Sequence, residues 1–183
     1  NYLEKYLGKS LFDKIMQDYF EKWKFKHPQP EDFEYLFKKH TSKNLDWFFK
    51  DLLTTTYPLD YKINNAGYSW DNKHFEIIVT NVGEIAGPVV ISALKRGKVT
   101  KTAWYDGFFG KKQLSFPYGD YDEIIIDYYH DMPEINRRNN KFTLFSFLGN
   151  IEPLEASFLF DFEKPNKTQV FFSPIAGYNL HDN

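Results

Sequence analysis

The sequence predicts an α+β protein with three parts: an N-terminal antiparallel helical segment of three or four helices, an immunoglobulin-like antiparallel β-sandwich, and an extended C-terminal tail. Two changes of rhythm and one compositional bias predict it. Apolar residues recur at three- and four-residue steps as far as Tyr57, the spacing of one helical face. After Pro58 the period drops to two, the alternation of a half-buried strand. The 19 Phe, 13 Tyr and 4 Trp among 183 residues supply the bulk of a core, because each ring buries a large area. A chain of this length hides about 70% of the surface its unfolded form exposes. The expected boundaries are 1–57 for the helical segment, 58–163 for the sandwich and 164–183 for the tail.

Within the first part, Leu11, Phe12, Ile15, Met16, Tyr19, Phe20 and Trp23 form a single stripe. The spacing predicts a helix over Ser10–Trp23, with Gly8 breaking the turn before it and Ser10 and Asp13 marking its start. Pro28 and Pro30 forbid its continuation. A second helix is expected from Pro30 through His40, with Glu31 and Asp32 complementing the dipole at its start. A third is expected from Asn44, with Leu45, Phe48, Phe49, Leu52 and Leu53 on one face, ended by Thr54–Pro58.

Strands are expected where Tyr61 and Ile63 alternate with polar residues, at Phe75–Val79 and at Val89–Ala93. Further strands are expected at 99–105, 113–116, 123–129 and 157–162, with Val170-Phe171-Phe172 as the strongest piece of the C-terminal stretch. The turn-formers between them are Asn65-Ala66-Gly67, Asp71-Asn72, Asn81-Val82-Gly83, Arg96-Gly97-Lys98, Asp106-Gly107 and Tyr118-Gly119-Asp120.

A formal net charge of -2 from 23 basic and 25 acidic residues, scattered along the chain, creates no extended field. Nucleic acid and anionic membranes are therefore excluded as expected partners. No cysteine is present, so disulfides and thiolate metal sites are ruled out. The chain opens on Asn1, with Tyr2, Leu3, Tyr6 and Leu7 already at helical spacing, which is the expectation for a piece excised partway along a helix.

Zinc hydrolysis needs imidazoles one helical turn apart, usually His-Glu-x-x-His, plus a third ligand. No two of His27, His40, His74, His130 and His181 lie that close, so no metal site and no catalytic residue is assigned. Asp120 with Asp122, and Glu123 with Asp127, read as solvated surface charges rather than a catalytic pair. Two constellations remain. Glu134, Asn136, Arg137, Arg138, Asn139 and Asn140 read as a loop whose side chains satisfy backbone groups, since the run lacks the alternating oxygens and glycine turn of a calcium loop. Trp104, Tyr105 and Tyr118 read as an aromatic contact surface, either for sugars or for packing.

Tyr2-Leu3-Glu4-Lys5-Tyr6-Leu7-Gly8 with Leu11-Phe12, Phe25-Lys26-His27-Pro28-Gln29-Pro30-Glu31-Asp32-Phe33, and Lys43-Asn44-Leu45-Asp46-Trp47-Phe48-Phe49 together resemble the end of the catalytic domain in gluzincin aminopeptidases of the aminopeptidase N type. Pro133–Asn140, Thr168-Gln169-Val170 and Ser173-Pro174 look most like long secreted members from Bacteroidetes-type bacteria. The resemblance implies a parent that removes N-terminal residues from peptides with a zinc ion held upstream. It implies no cofactor in this chain, an extracytoplasmic location, and two partners: the upstream catalytic lobe of the same polypeptide and, in the full-length protein, a peptide substrate. The family's catalytic tyrosine would fall before Asn1, so Tyr2 does not inherit its role. Self-association through an exposed helical face is expected of the piece alone. The alternative is a self-contained adhesion or carbohydrate-binding sandwich.

Overall fold

A computed structural model describes residues 1–69 and 74–144, together with the strands 154–158 and 168–172. Two helices stand on either side of Gly8, the break the sequence predicts. Helix α1 spans Tyr2–Leu7 and α2 spans Lys9–Trp23. Gly8 separates them with φ 87°, a left-handed value that glycine adopts without steric cost. Ser10 and Asp13 lie inside α2 rather than at its cap, because Gly8 already ends the preceding turn and α2 restarts at once. Helix α3 runs Pro30–His40 with proline in its first turn. It starts on a reciprocal cap, in which the Gln29 side chain receives a first-turn N–H and Asp32 receives the Gln29 N–H.

The third expected helix is shorter and differently wound. Trp47–Leu52 forms a π-helix, closed by the Leu53 N–H donating to the Phe48 carbonyl at 3.0 Å. Widening the turn rotates successive side chains away from the α-helical stripe. Trp47 and Phe49, with Leu45 before them, are buried while Leu53 faces solvent, so Leu53 does not share the apolar face expected of it. Rings bind these helices together: Phe33 stands 5.1 Å from Tyr19, 4.8 Å from Phe37 and 6.0 Å from Phe49. Offset and edge-on pairs of this kind add roughly 0.5–1.5 kcal/mol each beyond area burial.

Beyond Pro58 the chain builds two antiparallel sheets. Strands β1 (Tyr61–Tyr68), β2 (Phe75–Asn81) and β5 (Gly110–Phe116) pair in the order β1-β2-β5. Strands β3 (Val89–Lys95), β4 (Lys98–Tyr105), β6 (Glu123–Ile126) and β7 (Lys141–Thr143) pair in the order β4-β3-β6-β7. A third pairing joins β8 (Leu154–Phe158) in parallel to β9 (Thr168–Phe172). In β2 the alternation holds as read: Phe75, Ile77 and Val79 are fully buried and their neighbours are not. Side chains of both antiparallel sheets and of the helices meet in one hydrophobic cluster.

Three sequence expectations give way to packing. Asn65-Ala66-Gly67 continues β1 instead of turning, through a bulge between Ile63 and Asn65 that keeps Ala66 in the core. Strand β6 stops at Ile126, not at Tyr129, because Asp127 takes φ 51° and starts a turn. In β3 both faces are buried rather than one: Val90 lies opposite Trp104, whose ring stacks on Tyr2 of α1. The expected turn at Asp71-Asn72 and the end of the strand expected at 157–162 lie outside the described residues.

Candidate functional site

The loop after β6 is organised by two buried carboxylates, Asp127 and Glu134. The Asp127 side chain accepts the Asp131 N–H at 2.7 Å, the Met132 N–H at 3.1 Å and Arg137 Nη2 at 3.3 Å. The same Arg137 nitrogen donates to the Met132 carbonyl at 2.6 Å. A backbone turn is thus folded around one buried acid, and Asp127 is not the solvated charge its place in the sequence suggests. Burial pushes its carboxyl up, against the pull of the two amides and the guanidinium. Asp120 and Asp122 do behave as surface charges, sharing Lys95 at 2.7 and 2.8 Å, and Glu123 pairs with Lys141 at 2.7 Å.

Glu134, only 6% exposed, ties this loop to the other sheet. One of its oxygens accepts the Tyr61 N–H at 3.0 Å and the other accepts the Asn140 side-chain amide. Around it the Ile135 N–H donates to the Leu59 carbonyl at 3.2 Å, the Ile63 N–H to the Asn139 carbonyl at 3.2 Å, and the Ile126 N–H to the Asn140 carbonyl at 2.9 Å. Asn136 accepts the Arg138 N–H at 3.1 Å. Asn139 is best satisfied with its amide nitrogen toward the carbonyls of Asn136 and Tyr61, at 2.9 and 3.2 Å. The loop therefore stitches β1 of one sheet to β6 of the other through main-chain groups and buried side chains. Desolvation pushes Glu134 up to about 8, aided by Asp127 and Asp60 and opposed by the Asn140 and Tyr61 donors. Burial also raises Asp60.

The structure disperses the three rings read as a contact surface. Trp104 stands on the face of β4 covered by α1, with ring centroids 6.1 Å from Tyr2 and 5.7 Å from Tyr6. Tyr105, next in the strand, points to the opposite face, where its hydroxyl donates to the Ser115 carbonyl at 2.6 Å. Tyr118 lies near the far end of β1, half exposed beside Tyr68 with centroids 5.6 Å apart. The three rings do not converge.

A different constellation sits between the helices and the sheets. The Tyr2 hydroxyl donates to the Pro88 carbonyl, and the Tyr61 hydroxyl to the Gly87 carbonyl at 2.7 Å. A Cβ at Gly87 would stand 2.6 Å from the Tyr2 hydroxyl oxygen, so the close approach requires glycine. Beside this seam Tyr6 donates to Asp106 at 2.7 Å and accepts Lys43 at its carbonyl at 3.0 Å. Sequence reading missed this group because its members come from α1, the α3–π-helix connection, β1, the β2–β3 connection and the β4–β5 crossover. The only local signal was Asp106-Gly107, read as a turn.

Among the described residues no group of three or more His, Cys, Asp or Glu is placed to hold a metal ion. His40 contacts Asp18 at 2.7 Å, His74 contacts Glu76 at 3.1 Å, and His130 is exposed at φ 59°. His181 lies outside the described residues. No helix among those residues is long and apolar enough to cross a membrane. No protein-family model and no curated protein sequence matches the chain.

Proposed function

We propose that this chain is a non-catalytic C-terminal portion of a zinc aminopeptidase of the aminopeptidase N type, a helical buttress joined to an immunoglobulin-like β-sandwich. In this reading the parent removes N-terminal residues from peptides outside the cytoplasm. Its zinc belongs to an upstream lobe of the same polypeptide.

The observation that carries the reading is the exposure of three aromatic side chains on α2, α3 and the connection between them. Phe25 is fully exposed, Phe20 is 63% exposed and Tyr35 is 59% exposed, and Phe25 belongs to the segment that resembles the family. Large apolar side chains left in solvent are what a covering protein surface would account for. The remainder of the segment is held rigidly by Tyr2, Tyr6 and Trp47 against the sheets. Rigidity of this kind is what a catalytic constellation needs from its support. The carbohydrate-binding alternative has weaker support, since Trp104, Tyr105 and Tyr118 share no surface.

The test is metal analysis of the purified chain together with an aminoacyl chromogenic reporter. The proposal expects far less than one equivalent of zinc and no turnover. Stoichiometric zinc or robust hydrolysis by this chain alone overturns it.

A further inference from the structure

A groove of about 510 Å³ opens where the π-helix and the residues before it meet the β4–β5 crossover. Its wall holds one lysine, Lys43, and three aspartates, Asp46, Asp51 and Asp106, of which Lys43 and Asp106 both contact Tyr6. The Lys43 ammonium stands 3.7 Å from the centroid of the Tyr6 ring and donates to the Tyr6 carbonyl at 3.0 Å. At the hydroxyl end of the same side chain, Tyr6 donates to Asp106 Oδ1 at 2.7 Å. Opposite charges that share a partner would ordinarily close into an ion pair. Here the ammonium stands over the face of the Tyr6 ring and the carboxylate at its hydroxyl, each held by Tyr6 rather than by the other.

Each charge keeps capacity for a ligand. An ammonium has three donors, and Lys43 spends one on the Tyr6 carbonyl. Asp106 spends one oxygen on Tyr6. By contrast, Asp46 at the same groove is already neutralised by Lys38 and Lys50, each at 2.9 Å. The groove adds an apolar side, with Trp47 and Pro88 in its lining and Phe109, 69% exposed, among the same residues. Clefts between packed units, with a few placed charges on an apolar lining, are where small ligands bind.

We infer that this groove binds a free α-amino acid with an apolar side chain, its carboxylate on Lys43, its ammonium on Asp106 and its side chain against Trp47 and Phe109. The ligand's own ammonium and carboxylate are fixed a short distance apart by the α-carbon. A ligand carrying both charges can therefore meet Lys43 and Asp106, which are placed at the face and at the hydroxyl of one tyrosine. A monocarboxylate or a simple amine satisfies only one of them. The inference rests on this groove alone and stands whether or not the chain supports a zinc lobe.

Isothermal titration calorimetry of the full chain with L-leucine tests it, alongside L-leucinamide and N-acetyl-L-leucine, which each lack one charge. The expected result is saturable binding of L-leucine near millimolar affinity, with each blocked compound weaker by about tenfold or more, the scale of one lost charge-assisted hydrogen bond. Lys43→Met should weaken L-leucine by a similar factor without moving the unfolding midpoint appreciably. Asp106→Asn, which keeps an oxygen for Tyr6, should do the same. Absence of saturable L-leucine binding overturns the inference. So does equal binding of all three compounds, or full affinity in a folded Lys43→Met protein. If Asp106→Asn fails to fold, Lys43→Met and the blocked ligands still decide the matter.

Discussion

Glu134 changes its acid–base chemistry on folding. Its carboxyl moves from the ordinary 4.5 up to about 8, so between those values the folded chain binds a proton that the unfolded chain does not. Stability contributed by that proton is fully present below the ordinary value and is lost as pH rises toward 8, with a slope approaching about 1.4 kcal/mol per pH unit. Glu134→Gln should therefore flatten the fall in stability between pH 5 and 8, gaining on the parent chain as pH rises. Urea titrations of both proteins across that range check it, and parallel curves would show that Glu134 titrates normally. Glu134→Ala is a harsher change, because it leaves the Tyr61 N–H without its acceptor. A loss of about 1–3 kcal/mol is expected at any pH. Little of this was readable in advance. The run Pro133–Asn140 announced a loop rich in hydrogen-bonding groups, but which carboxylate is buried depends on β1 arriving from the other sheet. The sequence places Tyr61 and Glu134 far apart, and only the fold brings them together.

At the scale of elements, the helices and most strands follow from local pattern, and the departures mark where tertiary contacts dominate. Pro30 starts α3 and Gly8 separates α1 from α2 for reasons internal to the backbone, so both boundaries were legible. The π-helix was not, since a stripe of Leu and Phe residues at α-helical spacing says nothing of a widened turn. Nor was the bulge that carries Asn65-Ala66-Gly67 through β1. The β4–β5 crossover shows how tightly such joints are built. A Cβ on Gly107 would sit 1.8 Å from the Ala86 carbonyl oxygen, a distance no relaxation of side chains can relieve. Gly107→Ala is expected to destabilise the fold toward the upper end of roughly 1–3 kcal/mol, read as a lowered thermal midpoint. Gly97→Ala offers a comparison: it meets no atom but has φ 73° in the β3–β4 turn, so its cost should be smaller, about 1 kcal/mol. Equal effects of the two substitutions would show that steric contact with Ala86 is unimportant.

At the scale of the whole molecule, one hydrophobic cluster spans helices and both sheets, yet the outer end of the helical segment is left uncovered. Phe25 occupies φ 63°, a left-handed conformation that a bulky residue rarely adopts, and that geometry holds its ring in solvent between Lys24 and Lys26. Lys22 lies 5.5 Å from both the Trp23 and the Tyr35 rings, and Lys26 lies 5.9 Å from Trp23. Lys24 is paired with Glu21 at 2.5 Å, which leaves Lys22 and Lys26 as the cations beside these rings. Apolar association between copies through these rings competes with repulsion between their lysines. Raising salt weakens the repulsion over a Debye length of about 10 Å at 0.1 M and about 3 Å at 1 M, while leaving the attraction intact. Sedimentation velocity of the chain should accordingly show self-association that strengthens with both protein and salt concentration. A Phe20→Ser, Phe25→Ser double substitution should return it to monomer, with little loss of stability because neither ring supports the core. A chain that stays monomeric at every salt concentration, or a double variant that associates as before, would remove this surface as the place where another protein surface sits.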